Sequence, residues 1–92
     1  MVDRRTLQRA PGAVEARVDD RLVLLSPIDF SYHAVDPVGS RIWDLLREPN
    51  TVDQVVESLM AQYEVDDARC RADVEPFLER MVLIGVVEIQ TD

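Results

Sequence analysis

The chain has 92 residues, of which 47% are hydrophobic and 30% charged, a composition typical of one globular domain that needs neither disulfides nor metals. Its net charge of −8, with ten arginines, no lysine and eighteen acidic residues, disfavours nucleic-acid binding, which requires clustered basic side chains. The longest apolar run is too short to span a bilayer, Met1–Arg9 is too polar for a secretory signal, and the single cysteine is typical of a reducing compartment, so we expect a cytoplasmic protein.

The first third of the chain predicts strands. We expect residues 1–12 to be a flexible N-terminus and residues 13–92 to form a single domain. Val14–Val18 alternates apolar and charged residues, which indicates a half-buried strand with Val14, Ala16 and Val18 on its apolar face. Asp19 and Asp20 then suit a tight hairpin turn, because aspartate tolerates positive φ.

Two further strands complete an antiparallel meander. Arg21–Ser26 is apolar on both faces and should lie centrally, and Pro27 ends it. Phe30–Val35 is the third predicted strand, with Phe30, Tyr32 and Ala34 sharing one face.

Three helices are expected after the strands. Asp36 can cap the first helix, and Pro37 suits its first turn, where a missing N–H costs nothing. Apolar residues then recur at helical spacing up to about Arg47, and Trp43 among them is expected in the core. Thr51 and Gln54 form a capping box for the second helix, whose apolar stripe extends to Tyr63.

The third helix should run from about Asp67 to Ile84 and stop at Gly85. Pro76 is unfavourable inside a helix, so we expect either a kink there or a true start near Asp73. Val86–Ile89 would form a short C-terminal strand. The sequence therefore predicts an α+β fold of winged-helix-turn-helix type.

Residues suited to catalysis or to a metal site are few. Cys70 and His33 are the only soft ligands, whereas structural zinc usually takes four, and no oxyanion-hole signature accompanies a Cys–His pair. With three glycines in the chain there is no phosphate-binding loop. The acidic residues of the third helix are interpreted as a solvated face. We expect no catalysis, no cofactor and no metal.

The predicted fold is compatible with three hypotheses about function. A winged-helix arrangement could bind DNA through its third helix, although Asp73, Glu75 and Glu79 would repel phosphates. An exposed third strand could instead add a peptide strand, or pair with a copy of itself. Leu78 is expected in the core, whereas Phe30, Tyr32 and the other residues of its stripe, Val74, Phe77 and Met81, could equally be core or peptide-binding residues.

The ordered set of motifs resembles a known family. It comprises the strand pair, the run Val35–Leu46 (VDPVGSRIWDLL), the Thr51-Val52 helix start, Asp73-Val74 with Phe77-Leu78, and Gly85-Val86-Val87. Over residues 13–90 this is similar to the PqqD-like proteins, or RiPP recognition elements, which bind leader peptides in ribosomal peptide natural-product pathways. The run Gly39–Leu46 looks most like the free-standing versions from lasso-peptide biosynthesis.

The resemblance implies a non-catalytic adaptor. Such domains add the leader of a precursor peptide as a strand beside their third strand, over the third helix, and present it to a processing enzyme, in lasso pathways a separate cysteine leader peptidase. No membrane or nucleic acid would take part. The resemblance implies a peptide-binding site that comprises Asp29, Phe30, Ser31, Tyr32, His33, Ala34, Asp73, Val74, Phe77 and Met81.

Overall fold

The structure is a computed structural model that describes residues 5–90. Its elements in chain order are β1 (Thr6–Arg9), β2 (Val14–Val18), β3 (Arg21–Leu25), β4 (Tyr32–Val35), α1 (Pro37–Leu45), α2 (Val52–Met60), α3 (Asp67–Leu83) and β5 (Val87–Gln90). The predicted α+β fold is confirmed: an antiparallel three-stranded meander precedes three helices and a short C-terminal strand.

The meander has the order β2-β3-β4, so β3 is central, as predicted. Asp19 and Asp20 have φ of 51° and 67°, the paired positive values of a type I′ turn, whose twist matches that of a hairpin. Leu22 and Leu24 are fully buried on the face of β3 that carries the helices. Because side chains alternate along a strand, Val23 lies on the opposite face, which faces solvent and is covered by no helix of the described residues.

The apolar face of β2 is not half-buried, contrary to the sequence prediction. Val14 and Val18 are 52% and 57% exposed, because they share the outer face of the sheet. Glu15 and Arg17 lie on the helix side instead, where the Arg17 guanidinium is 3.3 Å from the Asp44 carboxylate of α1. The pattern of β2 was recognised correctly, but its apolar side faces water.

The third predicted strand is shorter than expected. It begins at Tyr32 rather than Phe30, because Phe30 has a φ of 60°, outside the range of extended backbone. Residues 27–31 form a turn between β3 and β4 instead.

The segment 6–9 was expected to be loose and instead forms β1, which pairs antiparallel with β5. Leu7 is fully buried and exchanges two backbone hydrogen bonds with Asn50, at 2.7 and 2.9 Å. The Arg9 guanidinium donates to the Trp43 carbonyl at 2.8 Å and lies 4.3 Å from the centre of the Trp43 ring. Burial and pairing with distant segments therefore order this stretch; residues 1–4 lie outside the described residues.

Local capping signals place the helix starts where the sequence predicts them. The Gly39 N–H donates to Asp36 Oδ1 at 2.7 Å, and Pro37 occupies the first turn of α1. Thr51 and Gln54 form both hydrogen bonds of the capping box, and α2 follows. Trp43 is 2% exposed, which confirms its core position. Within residues 5–90, no helix combines the length and apolarity needed to cross a membrane.

Helix α3 runs uninterrupted through Pro76, so the alternative start near Asp73 is wrong. Asp66 caps it by accepting from the Arg69 N–H at 2.8 Å. An interior proline costs about 3 kcal/mol, whereas each fully buried large apolar side chain contributes about 1.5–3 kcal/mol. The buried residues Val74, Leu78 and Met81 therefore outweigh the penalty. Gly85 ends the helix with a φ of 84°, as predicted.

Leu7→Ala tests whether β1 belongs to the core. We expect it to lower the free energy of unfolding by about 2–5 kcal/mol, because it leaves a cavity at a fully buried position. Leu83→Ala is the matched control, since Leu83 is 80% exposed and should change stability by less than about 0.5 kcal/mol. Urea denaturation measures both; equal effects would show that β1 is dispensable.

Candidate functional site

Strand β4 is an edge strand whose outward backbone groups can be assigned. The Ser26 N–H donates to the Ser31 carbonyl at 2.9 Å, so hydrogen bonding alternates from there along the β3–β4 ladder. The N–H and C=O groups of His33 and Val35 form hydrogen bonds with β3. The N–H and C=O groups of Tyr32 and Ala34 therefore point away from the sheet, and within residues 5–90 β4 has no second neighbouring strand.

A chain of polar side chains fixes the start of this edge. Asp29 accepts from the Ser31 N–H at 3.0 Å and from the Ser31 hydroxyl at 2.6 Å. These hydrogen bonds lower the pKa of the Asp29 carboxyl. Since the Ser31 proton is used in this way, His33 Nε2, 2.7 Å away, must donate to the Ser31 oxygen. The three side chains thus hold the turn before β4 in one conformation.

Ser26 ties the same turn to the end of α3. This buried hydroxyl donates to the Ile84 carbonyl at 2.6 Å and accepts from the Ile28 N–H at 3.1 Å. The Phe30 N–H donates to the Ser26 carbonyl at 3.0 Å, which holds Phe30 in its left-handed conformation. The ring of Phe30 is consequently 71% exposed beside the edge strand.

The side chains of β4 divide between the two faces of the sheet. Val35 pairs with Leu22 and His33 with Leu24, so both lie on the helix side. Tyr32 and Ala34 lie on the outer face, and Tyr32 is 76% exposed. A strand placed beside β4 would meet a different surface on each face.

On the helix side lies a cleft between α1 and α3, with a volume of about 330 Å³. We call it the α1–α3 cleft; its lining is Asp36, Val38, Gly39, Ile42, Asp73 and Phe77. A Cβ atom on Gly39 would lie 2.6 Å from Val35 Cγ1 and 2.7 Å from Phe77 Cε1. The absent side chain therefore lets α1, β4 and α3 meet at this point.

The two carboxylates of the cleft differ in availability. Asp36 already caps α1 through its Oδ1. The Asp73 side chain is exposed and makes no hydrogen bond or ion pair with another residue of the range 5–90. Its oxygens are free to accept a hydrogen bond from a ligand.

A smaller apolar hollow of about 170 Å³ adjoins the cleft and shares Val38 and Asp73 with it. Its other lining residues are Leu59, Tyr63, Val65, Cys70 and Val74. Burial raises the pKa of the Cys70 thiol, and the thiol points toward the Val56 carbonyl, 3.9 Å away. A protonated, buried thiol is a core side chain rather than a nucleophile.

Another hollow, of about 600 Å³, lies between the β2–β3 turn and α1. Most of its lining side chains are charged, and Arg17 and Asp44 pair across it at 3.3 Å. Its charged residues Arg17 and Asp44 already pair with each other, whereas the α1–α3 cleft sets the exposed carboxylate of Asp73 beside the Phe77 ring, so we favour the α1–α3 cleft. Among residues 5–90, no group of three or more potential ligands is placed to hold a metal ion.

The structure separates the residues of the expected site into three sets. Asp73 and Phe77 come together in the α1–α3 cleft. Val74 and Met81 are at most 1% exposed and belong to the core. The third set lies in the turn and along the edge strand: Asp29, Phe30, Ser31, Tyr32, His33 and Ala34.

Four lining residues were absent from the expected site: Asp36, Val38, Gly39 and Ile42. Gly39 carried a usable signal, because a glycine inside a helix is unfavourable and often marks a close approach of two elements. Val38 carried none, since its spacing fits a core residue although it is 42% exposed.

Known proteins share this sequence pattern and this fold. The profile of the family described as Coenzyme PQQ synthesis protein D (PqqD) matches residues 21–87. A solved structure, TbiB1 in complex with the TbiA(beta) leader peptide, is 33% identical with a TM-score of 0.79, over 92% of this chain and 99% of that chain. Comparison with the curated proteins gave no match.

Two further structures share the fold. The PqqD truncation of Methylobacterium extorquens PqqCD, described as a functional and stand-alone RiPP recognition element, is 25% identical with a TM-score of 0.73, over 90% of this chain and 88% of that chain. Lasso peptide synthetase B1 complexed with the leader peptide is 20% identical with a TM-score of 0.76, over 89% and 96% of the two chains. The latter likeness is one of fold alone.

Gly39→Ala tests the close approach at the cleft. Although alanine normally stabilises a helix, we expect a loss of about 1–3 kcal/mol in unfolding free energy, because the new methyl group overlaps Val35 and Phe77. Phe77→Leu removes part of that overlap, so the double variant should be more stable than the two single effects predict. Additive effects in a chemical-denaturation cycle would contradict the contact.

Proposed function

This chain belongs to the PqqD family, and from that premise we propose that it is a non-catalytic adaptor that binds the leader segment of a ribosomally made precursor peptide. The relative with 33% identity, TbiB1, has been solved with a leader peptide bound. The observation in this chain that carries the proposal is the unpaired edge of β4 beside the α1–α3 cleft.

In the proposed complex the leader adds as a strand beside β4. The outward N–H and C=O groups of Tyr32 and Ala34 supply its hydrogen bonds. These groups are already held in extended geometry by β3, and the turn before them is fixed by Ser26 and Asp29. A preformed edge reduces the entropy lost on binding, which favours affinity.

Alternate leader residues would then face opposite surfaces. Those on the helix side meet the α1–α3 cleft, where Phe77 offers an apolar ring and Asp73 a free carboxylate. An aromatic residue with a hydroxyl group suits that pair, since its ring packs and its O–H donates. Those on the outer face lie beside Phe30 and Tyr32, both more than 70% exposed.

The adaptor would present the bound leader to a processing enzyme, a cysteine leader peptidase on a separate chain, in lasso-peptide or related biosynthesis. An edge-bound strand keeps its outer side exposed, so a second protein can reach the leader while this chain holds it.

The alternative of a DNA-binding regulator receives no support from the surface of α3. Its exposed positions include Asp67, Asp73 and Glu79, which would oppose phosphate groups.

Phe77→Ala should weaken leader binding by about 1–3 kcal/mol, the usual effect of losing one central apolar contact. The probe is a fluorescein-labelled TbiA(beta) leader peptide, the peptide bound in the TbiB1 structure, and the readout is fluorescence anisotropy. Met60→Ala on α2 removes a partly exposed apolar side chain away from the cleft and is the control. Equal affinity of both variants for this leader would place the site elsewhere. Val74 is unsuited to this test because it is fully buried.

Ala34→Pro tests strand addition itself. Proline removes an N–H that points away from β3, so the fold should persist while leader affinity falls by about tenfold, the loss of one well-placed hydrogen bond. His33→Pro is the matched control: it removes an N–H on the β3 side and should lower the melting temperature instead.

The same pair also tests presentation to the peptidase. Leader cleavage by the purified peptidase should depend on the parent chain and fall with Ala34→Pro at leader concentrations below saturation. Unchanged anisotropy with Ala34→Pro would overturn strand addition, and unchanged cleavage despite weaker binding would overturn presentation.

A further inference from the structure

The meander has a second unpaired edge, on β2. Within residues 5–90 this strand pairs only with β3, and all five of its residues are exposed. The type I′ turn at Asp19-Asp20 closes on a hydrogen-bonded pair, Val18 with Arg21. From this pair onward, every second residue of β2 forms backbone hydrogen bonds with β3, and these residues are Val14, Ala16 and Val18. The N–H and C=O groups of Glu15 and Arg17 consequently point outward.

The sequence of β2, VEARV, complements itself when reversed. If two copies pair antiparallel about Ala16, Glu15 of each lies opposite Arg17 of the other, and Val14 lies opposite Val18. Opposite charges and apolar residues placed across from one another both stabilise a strand pair.

Backbone geometry selects the same register. Two copies can exchange hydrogen bonds only through backbone N–H and C=O groups that point away from β3. In β2 these groups belong to Glu15 and Arg17. Sliding one copy by two residues would set Glu15 against Glu15, or Arg17 against Arg17, and oppose like charges. Pairing about Ala16 therefore satisfies the backbone and the side chains together.

We propose that the β2 edge is a homodimer interface, in which two copies join their meanders about a two-fold axis. Such an isologous contact makes one sheet from the three strands of each copy and joins their outer faces, including Val14 and Val18. The β4 edges remain at the two ends of this sheet. The proposal is thus independent of leader binding and compatible with it.

The charged side chains are already oriented for this contact. Glu15 accepts from Arg9 at 3.0 Å and Arg17 donates to Asp44 at 3.3 Å, while the Glu15 and Arg17 side chains remain 36% and 46% exposed. These in-chain ion pairs hold both side chains on the helix side, so the cross-copy pairs would form on one face.

The test is charge reversal with complementation, read by sedimentation velocity over a concentration series. Glu15→Arg alone and Arg17→Glu alone each convert both cross-copy pairs into like-charge pairs, and each should weaken self-association by about tenfold. An equimolar mixture of the two single variants should recover dimer, because each copy then offers the charges that the other lacks. The double variant Glu15→Arg/Arg17→Glu should also recover it.

Complementation separates the proposal from a change within one chain. Mixing cannot restore an in-chain ion pair with Arg9 or Asp44, so recovery on mixing requires contact between copies. A parent chain that stays monomeric up to about 1 mM, or a mixture no more associated than its components, would overturn the proposal. Fluorescence anisotropy with the labelled TbiA(beta) leader should give the same affinity for every β2 variant as for the parent chain. If the parent chain itself does not bind the leader, that result contradicts the proposed function and leaves the dimer proposal unaffected.

Discussion

The unpaired edge of β4 exists because the chain leaves the sheet at Asp36. That residue ends the strand and caps α1 by accepting from the Gly39 N–H, and Pro37 commits the backbone to helix at once. Within residues 5–90, no later strand pairs with β4. The glycine that donates to the cap is also the one whose missing side chain admits Phe77 and Val35. One short turn thus frees the edge and shapes the cleft beside it.

The helices cover only one face of the meander, and this decides which side chains of all three strands are buried. Leu22 and Leu24 form the core with the helices, whereas Val14, Val18 and Tyr32 stay exposed on the other face. A strand added at β4 would meet a cleft on one side and open surface on the other. This asymmetry is compatible with the proposed adaptor role, because one side of an added leader strand would be held and the other would remain accessible to an enzyme.

The two edges of the meander differ in chemistry. At β4 a polar chain through Asp29, Ser31 and His33 fixes the turn, and the free carboxylate of Asp73 lies in the adjoining cleft. At β2 the charges alternate in a self-complementary order. Unpaired edges are prone to unspecific association, and distinct side-chain patterns would let the two edges select different partners.

Local sequence determined the elements whose causes are local. The caps at Asp36, Thr51 and Asp66 and the stop at Gly85 depend on residues within one helical turn, so the helix starts and the family could be predicted. Tertiary contacts decided the rest. Leu7 is ordered by Asn50, and the turn that keeps Phe30 out of β4 is tied to the end of α3 by the hydrogen bond from Ser26 to the Ile84 carbonyl. Val74 and Met81 are core because α3 turns that side inward, which spacing alone cannot distinguish from a groove. Periodicity shows which residues share a face, but only packing decides what that face meets.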